Sequence, residues 1–205
     1  MASGGTGGPA PRERIGLFGG TFDPIHRGHV EVASAVRDAL GLDRMLVVVA
    51  NQPWQKLDRP VTPAEDPFAM VVAALADRPG LEASRIELDR GGPSYTVDTV
   101  RHLRSQEPGA AVTVVVGADV VAGLDTWHAH EALRDLVTLA IVDRPGAPAI
   151  DPPPGWRFER VPVAPLDVSS TELRTRLEAG EPVDDAVPAA VIRCMVERGL
   201  YATGR

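Results

Sequence analysis

The chain has 205 residues, of which 44% are hydrophobic and 24% charged, with a formal net charge of −7 at pH 7. These values describe one globular domain with room for a substantial core, and the acidic balance argues against a broad nucleic-acid-binding surface. One cysteine, Cys194, excludes an intramolecular disulfide, and no apolar run is long enough to cross a membrane.

Met1–Arg14 is rich in glycine and proline and lacks the apolar core of a signal peptide, so it reads as a disordered leader. The expected compartment is the cytoplasm and the expected domain is 15–205. Apolar runs predict strands at Ile15–Phe18, Met45–Val49, Arg85–Leu88, Val112–Val116, Leu136–Val142 and Phe158–Val163. Helical periodicity predicts helices at Gly28–Leu40, Ala64–Asp77, Thr96–Gln106, His128–Arg134, Ser170–Ala179 and Pro188–Arg198. Gly41 should stop the first, and Thr62 with Glu65 has capping-box spacing before the second, whose core stripe is Phe68, Val71, Val72 and Leu75. Cys194, among Ile192, Met195 and Val196, reads as a buried inert thiol. Alternating strand and helix predicts an α/β fold: a Rossmann-like, doubly wound parallel sheet in a single domain with C-terminal helices. Ligands of such sheets bind at the carboxyl ends of strands.

One stretch at such an end concentrates chemistry: Gly19-Gly20-Thr21-Phe22-Asp23-Pro24-Ile25-His26-Arg27-Gly28-His29. Glycines let an anion approach the backbone, and a helix start offers free N–H groups and a positive dipole end. His26 and His29, three apart, face one side of a helix. A tight turn with structural histidines, or a divalent-metal pair helped by Asp23, would use the same residues. The coincidence of strand, glycines and two histidines favours a nucleotide site.

This stretch resembles the signature of the HxGH nucleotidyltransferases, and most closely that of bacterial nicotinate-nucleotide adenylyltransferases. The resemblance implies that Gly19, Gly20, Thr21, Phe22 and Gly28 meet ATP, with His26 and His29 catalytic. Further motifs follow in the family order. In Asn51–Lys56, Lys56 fits the family's phosphate-contacting lysine, with Gln55 in place of a histidine and Trp54 before it. Ser94-Tyr95-Thr96-Val97-Asp98-Thr99 resembles the segment that holds the acceptor nucleotide, which implies acceptor contacts by Ser94, Tyr95, Thr96 and Asp98. From the residues alone it reads as a helix capped by Ser94 or Thr96. Gly117-Ala118-Asp119 matches a Gly-x-Asp near the ribose of ATP, although Asp119 would also serve as a helix cap. Trp127 matches a ring that covers the pyridine, and His128 and His130 stand where the family often has a tyrosine and a second tryptophan. His128-Ala129-His130, with the first pair, is also the material of a metallohydrolase. Arg144 resembles an ATP-side arginine or a surface turn. Ser169-Ser170-Thr171-Glu172-Leu173-Arg174 matches the family's phosphate-binding helix start, with a catalytic role implied for Arg174; Ser169 and Glu172 alone have capping-box spacing.

The resemblance implies transfer of AMP from ATP to nicotinate mononucleotide, with Mg²⁺ accompanying the pyrophosphate and no nucleic-acid or membrane partner. The oligomeric state, a homo-oligomer included, is left open. A pantetheine-phosphate adenylyltransferase, a metallohydrolase and a non-catalytic nucleotide sensor are the alternatives.

Overall fold

A computed structural model describes residues 12–52, 62–143, 149–164 and 168–202. Six strands form one sheet: β1 (Arg14–Gly20), β2 (Arg44–Val49), β3 (Leu81–Ser84), β4 (Ala111–Gly117), β5 (Val137–Asp143) and β6 (Phe158–Pro162). Their order is β3-β2-β1-β4-β5-β6 and every pairing is parallel. This is the doubly wound arrangement, in which the order reverses between β1 and β4 and opens a crevice at the carboxyl ends of those two strands.

Both faces of the sheet are covered, so its central strands β2 and β4 read as nearly continuous apolar runs. In β2, Met45, Val47 and Val49 join Val30, Ala33 and Val36 of α1 (Arg27–Leu40), Met70 of α2 (Glu65–Leu75), Leu173 of α6 (Ser170–Glu178) and Val191 of α7 (Ala189–Glu197). Leu46 and Val48 point the other way. There they meet Val97, Val100 and Leu103 of α4 (Thr96–Gln106) and Leu133 of α5 (His130–Leu136). The predicted Gly41 stop is present: Gly41 takes a left-handed φ of 56° and its N–H reaches the Arg37 and Asp38 carbonyls.

Five local expectations are corrected. Arg85–Leu88 is not a strand; Ile86–Arg90 forms a short helix, α3, and the strand lies earlier, at Leu81–Ser84. Gly80, at φ +79°, turns the chain so that its carbonyl accepts from Met45 N–H and sets the β2–β3 register at Met45↔Leu81. Ile86 and Leu88 alternate like a strand, but in the short helix they point to different sides, Ile86 to the core cluster of α4 and Leu88 to that of α1 and α2. Thr62 does not cap α2, whose N-cap position is Ala64. Val72 is 46% exposed and leaves the α2 core stripe, which is carried by Met70, Val71 and Leu75. Cys194 is half-buried rather than buried, though burial still pushes its thiol pKa up, as suits an inert group. Arg14, placed with the leader by composition, begins β1 and pairs with Ala111.

At the amino edge of the sheet Arg44 binds Glu13 (2.8 Å), Glu82 (3.3 Å) and Glu107. One guanidinium thereby joins the chain before β1, the start of β2, strand β3 and the residue after α4. Among the described residues no helix is long and apolar enough to cross a membrane.

Candidate functional site

β1 ends at Gly20, and the two glycines there do different jobs. A Cβ on Gly19 would meet nothing within 4 Å, so the space beside it is open to a ligand. A Cβ on Gly20 would come 2.9 Å from the Phe22 ring, so this glycine admits Phe22 instead. Phe22 itself has φ 47°, a left-handed conformation costly for a bulky residue, and is held there by burial. Its ring meets Phe18 edge-on at 5.5 Å and His29 at 5.1 Å.

His26 is the N-cap of α1 in extended conformation, not a helical residue. His29 lies in the first turn, and its Nδ1 accepts the His26 backbone N–H at 3.3 Å. The two rings stack at 3.6 Å, so the spacing brought them together as expected. Gly28 makes that possible: a Cβ there would sit 3.1 Å from His26 Nδ1 and 3.2 Å from Val168. The His26 side chain faces the helix start in capping-box fashion, but its buried Nδ1 gains no hydrogen bond of proper geometry among the described residues. Burial lowers the His26 pKa from 6.5 to about 4, so it is neutral at pH 7. A neutral ring offers a ligand hydrogen bonding rather than charge. The first turn of α1 contains no acidic residue, which leaves the positive end of the helix available to an anion.

The start of α6 lies against the same turn. Ser169 caps the helix, accepting from Glu172 N–H at 3.2 Å, as the spacing predicted. Ser170 spends its hydroxyl proton on the Pro24 carbonyl (3.0 Å), so toward a phosphate it offers its backbone N–H. Arg174 donates to the Asp23 carbonyl at 2.6 Å and to Thr171 Oγ1 at 3.2 Å. The signature turn and α6 are thus one unit, although about 150 residues separate them in the chain.

A second cluster forms beyond β2. Asn51 N–H donates to Ser94 Oγ (2.9 Å), its side-chain amide to the Gly92 carbonyl (3.0 Å), and Ser94 N–H to the Gln52 carbonyl (3.0 Å). Ser94 is therefore a clamp between two loops, not a cap, and Thr96 is not one either. Tyr95 is the N-cap of α4 and no side chain caps that helix. Asp98, in its first turn, faces Arg101 at 3.5 Å. The predicted helix at His128–Arg134 begins later, at His130, because Ala129 takes a left-handed φ of 49°. His128 is consequently outside the helix and stacks on Tyr95 at 4.2 Å, joining two motifs read separately in the sequence. Trp127 is half-buried against the α4 face of the core. Gly117 ends β4, and the Asp119 carboxylate folds back over it, where a Cβ would overlap. Asp119 sits in the 3-10 segment Ala118–Thr126, which no side chain caps. Trp54, Gln55, Lys56, Arg144 and Asp167 lie outside the described residues.

Sequence reasoning passed over Tyr201 and Thr99 and gave Thr62 a different role. Thr62 and Tyr201 both donate from their hydroxyls to Asp23 Oδ1, Thr62 at 2.9 Å. Buried Thr99 donates to Glu87 (2.6 Å) and accepts from Arg90 (3.0 Å), bracing the loop before Ser94. Nothing short of a contact map would have signalled the Tyr201 pairing across 178 positions.

Among the described residues no group of three or more His, Cys, Asp or Glu side chains is placed to hold a metal ion. A cleft of about 450 Å³ lined by Arg44, Glu82, Arg85, Asp89 and Glu107 among others contains none of the predicted site residues, and Arg44 and Arg85 are bound by its own carboxylates.

The cytidylyltransferase-like family model matches residues 17–176. A "probable nicotinate-nucleotide adenylyltransferase" of Thermus thermophilus is 45% identical over 92% of this chain and 99% of its own. One from Corynebacterium kroppenstedtii is 42% identical over 92% and 90%. A solved structure titled as Plasmodium falciparum nicotinic acid mononucleotide adenylyltransferase complexed with NaAD shares the fold. Its TM-score is 0.78 at 18% identity, over 94% of this chain and 99% of that one. The chain belongs to the cytidylyltransferase-like family and, within it, to the nicotinate-nucleotide adenylyltransferases.

Proposed function

We propose that the protein transfers AMP from ATP to nicotinate mononucleotide at the carboxyl edge between β1 and β4, releasing pyrophosphate and forming deamido-NAD. One observation carries the reading: a helix start free of acidic residues, a stacked histidine pair and Arg174 all converge on one turn beside open space at Gly19.

In this reaction an oxygen of the acceptor's phosphate forms a bond to the α-phosphorus of ATP as the bond to the bridging oxygen of pyrophosphate breaks. The nucleophile is already an anion at neutral pH, so no general base and no covalent enzyme intermediate are needed. Catalysis is positioning plus stabilisation of charge on the pentavalent phosphorus. Gly19 lets the phosphates approach the backbone. The α1 and α6 starts supply N–H groups, with the Ser169 side chain covering only part of the second. His26, neutral, contributes a hydrogen bond without a charge; His29, backed by Phe22, is fixed in orientation; Arg174 adds a permanent cation. Lys56 and Arg144 are assigned to the phosphates from the family motif alone, as are Thr21 and Asp119 to the ATP side. The acceptor's pyridine is assigned to the Tyr95–His128 stack and to Trp127, with Trp54, Thr96 and Asp98 beside them.

Mg²⁺ enters as Mg·ATP. With Asp23 occupied by two hydroxyl donors and no multi-ligand cluster among the described residues, the phosphates themselves are the natural ligands, as is usual for this ion. The domain that begins with β1 at Arg14 acts as one catalytic unit in the cytoplasm, where the lone Cys194 remains a thiol.

Pyrophosphate release from Mg·ATP, with nicotinate mononucleotide, nicotinamide mononucleotide and phosphopantetheine supplied separately, tests the proposal. Fast release with the first supports it. Release with phosphopantetheine alone, or none with any acceptor, overturns it.

A further inference from the structure

The Asp23 carboxylate sits within the phosphate-binding turn, where a bare negative charge would repel ATP. Two hydroxyl donors meet it. Thr62 comes from the chain entering α2 and Tyr201 from the chain that follows α7. The same residue's carbonyl holds Arg174, and the next carbonyl, of Pro24, holds Ser170. Asp23 is therefore the node at which four separate segments are tied. The Tyr201 ring packs against the core, and its backbone takes a left-handed φ of 55° to bring the hydroxyl there. Burial, with the neighbouring carboxylate, pushes the phenol pKa well up, so the group stays a donor.

We propose that Tyr201 is a positioning residue for adenylyl transfer: through Asp23 it disperses the carboxylate's charge and holds the turn that presents Arg174 to the phosphates of ATP. The inference rests on the reading that this turn and Arg174 meet ATP. The hydroxyl is the working part, since the ring alone would serve for packing. Its loss removes one of these two hydroxyl donors and leaves a more repulsive carboxylate and a less constrained carbonyl under Arg174. A hydrogen bond to a charged group corresponds to a change of about tenfold or more.

The test uses the full chain with Tyr201→Phe, which keeps the ring. Turnover and Mg·ATP affinity by calorimetry are measured in parallel. The expected result is a fall of about tenfold in kcat/KM for ATP and a weaker Mg·ATP affinity. KM for nicotinate mononucleotide should change less than about twofold, and the far-UV spectrum should not change. A role in packing alone would not separate the two substrates. In an Asp23→Asn background the same substitution should have little further effect, and Thr62→Val, which removes the other donor, should act in the same direction as Tyr201→Phe. Wild-type affinity and turnover for ATP in Tyr201→Phe would overturn the inference, and so would an undiminished effect in the Asp23→Asn background. Failure of the functional reading is seen separately, as absence of turnover in the unsubstituted protein. In that event the calorimetric comparison still decides the role of Tyr201.

Discussion

Lowering the pH should unsettle the fold through one histidine. His26 is 5% exposed, and burial lowers its pKa from 6.5 to about 4. As the pH falls through 6.5 the unfolded chain takes up a proton that the folded chain refuses until about pH 4. The stability contributed by keeping this ring neutral is therefore fully present above the unfolded value and is lost as the pH drops through the window below it. Linkage gives a loss of about 2 kcal/mol between pH 7 and pH 5, rising to about 3 kcal/mol at pH 4. For a chain of this length about 2 kcal/mol lowers the melting temperature by roughly 4–8 °C. Carboxylates also respond in this range, so the informative quantity is a difference between proteins. His26→Asn keeps a polar side chain and removes the titration. Calorimetric melts at pH 7 and pH 5 should show a pH-induced drop in the unsubstituted protein that exceeds the variant's by that amount. Equal drops in the two proteins would refute the buried, neutral assignment of His26.

The two glycines at the end of β1 should separate cleanly. Gly19→Ala places a methyl in open space, so the melting temperature should hold while KM for ATP rises about tenfold or more; Gly20→Ala overlaps the Phe22 ring and should cost about 1–3 kcal/mol in a denaturant titration. Gly28→Ala pushes against His26 and Val168, and kcat should fall with the fold retained, as read by circular dichroism beside steady-state rates. Removing the guanidinium fork with Arg174→Met should lower turnover by about 10²–10³. Normal turnover in that variant would remove Arg174 from the phosphate site. His128→Ala breaks the stack on Tyr95, worth about 0.5–1.5 kcal/mol, and should raise KM for nicotinate mononucleotide by about twofold to tenfold without moving KM for ATP.

What the sequence disclosed depended on how local the cause was. The buried strands at Met45–Val49 and Val112–Val116 are apolar but for Thr113 because both faces of the sheet are covered, and that is visible in a short window. Thr96–Gln106 matched to the residue. The histidine pair was legible because three-residue spacing at a helix start leaves little choice. The third strand was not. Leu81–Ser84 is short and mixed in polarity, and it is placed by pairing to β2 and by the turn at Gly80, which are tertiary facts. Ser94 and Thr62 looked like caps because the residue type suits caps; each instead spends its oxygen on a distant segment. Tyr201, near the far end of the chain, gave no local signal at all. Residues whose partners lie within a turn could be read, and those that join segments could not.

The Arg44 cluster bears on how such a site can change over time. One guanidinium and three glutamates tie β2 to β3, to the chain before β1 and to the end of α4 at the amino edge, away from the loops at the opposite edge. Those loops are free to diverge. His128, stacked on Tyr95 at the start of α4, lies on that side. A lineage that fixes its scaffold at one rim can retune substrate preference at the other in small steps, each tested by selection on catalysis rather than on folding.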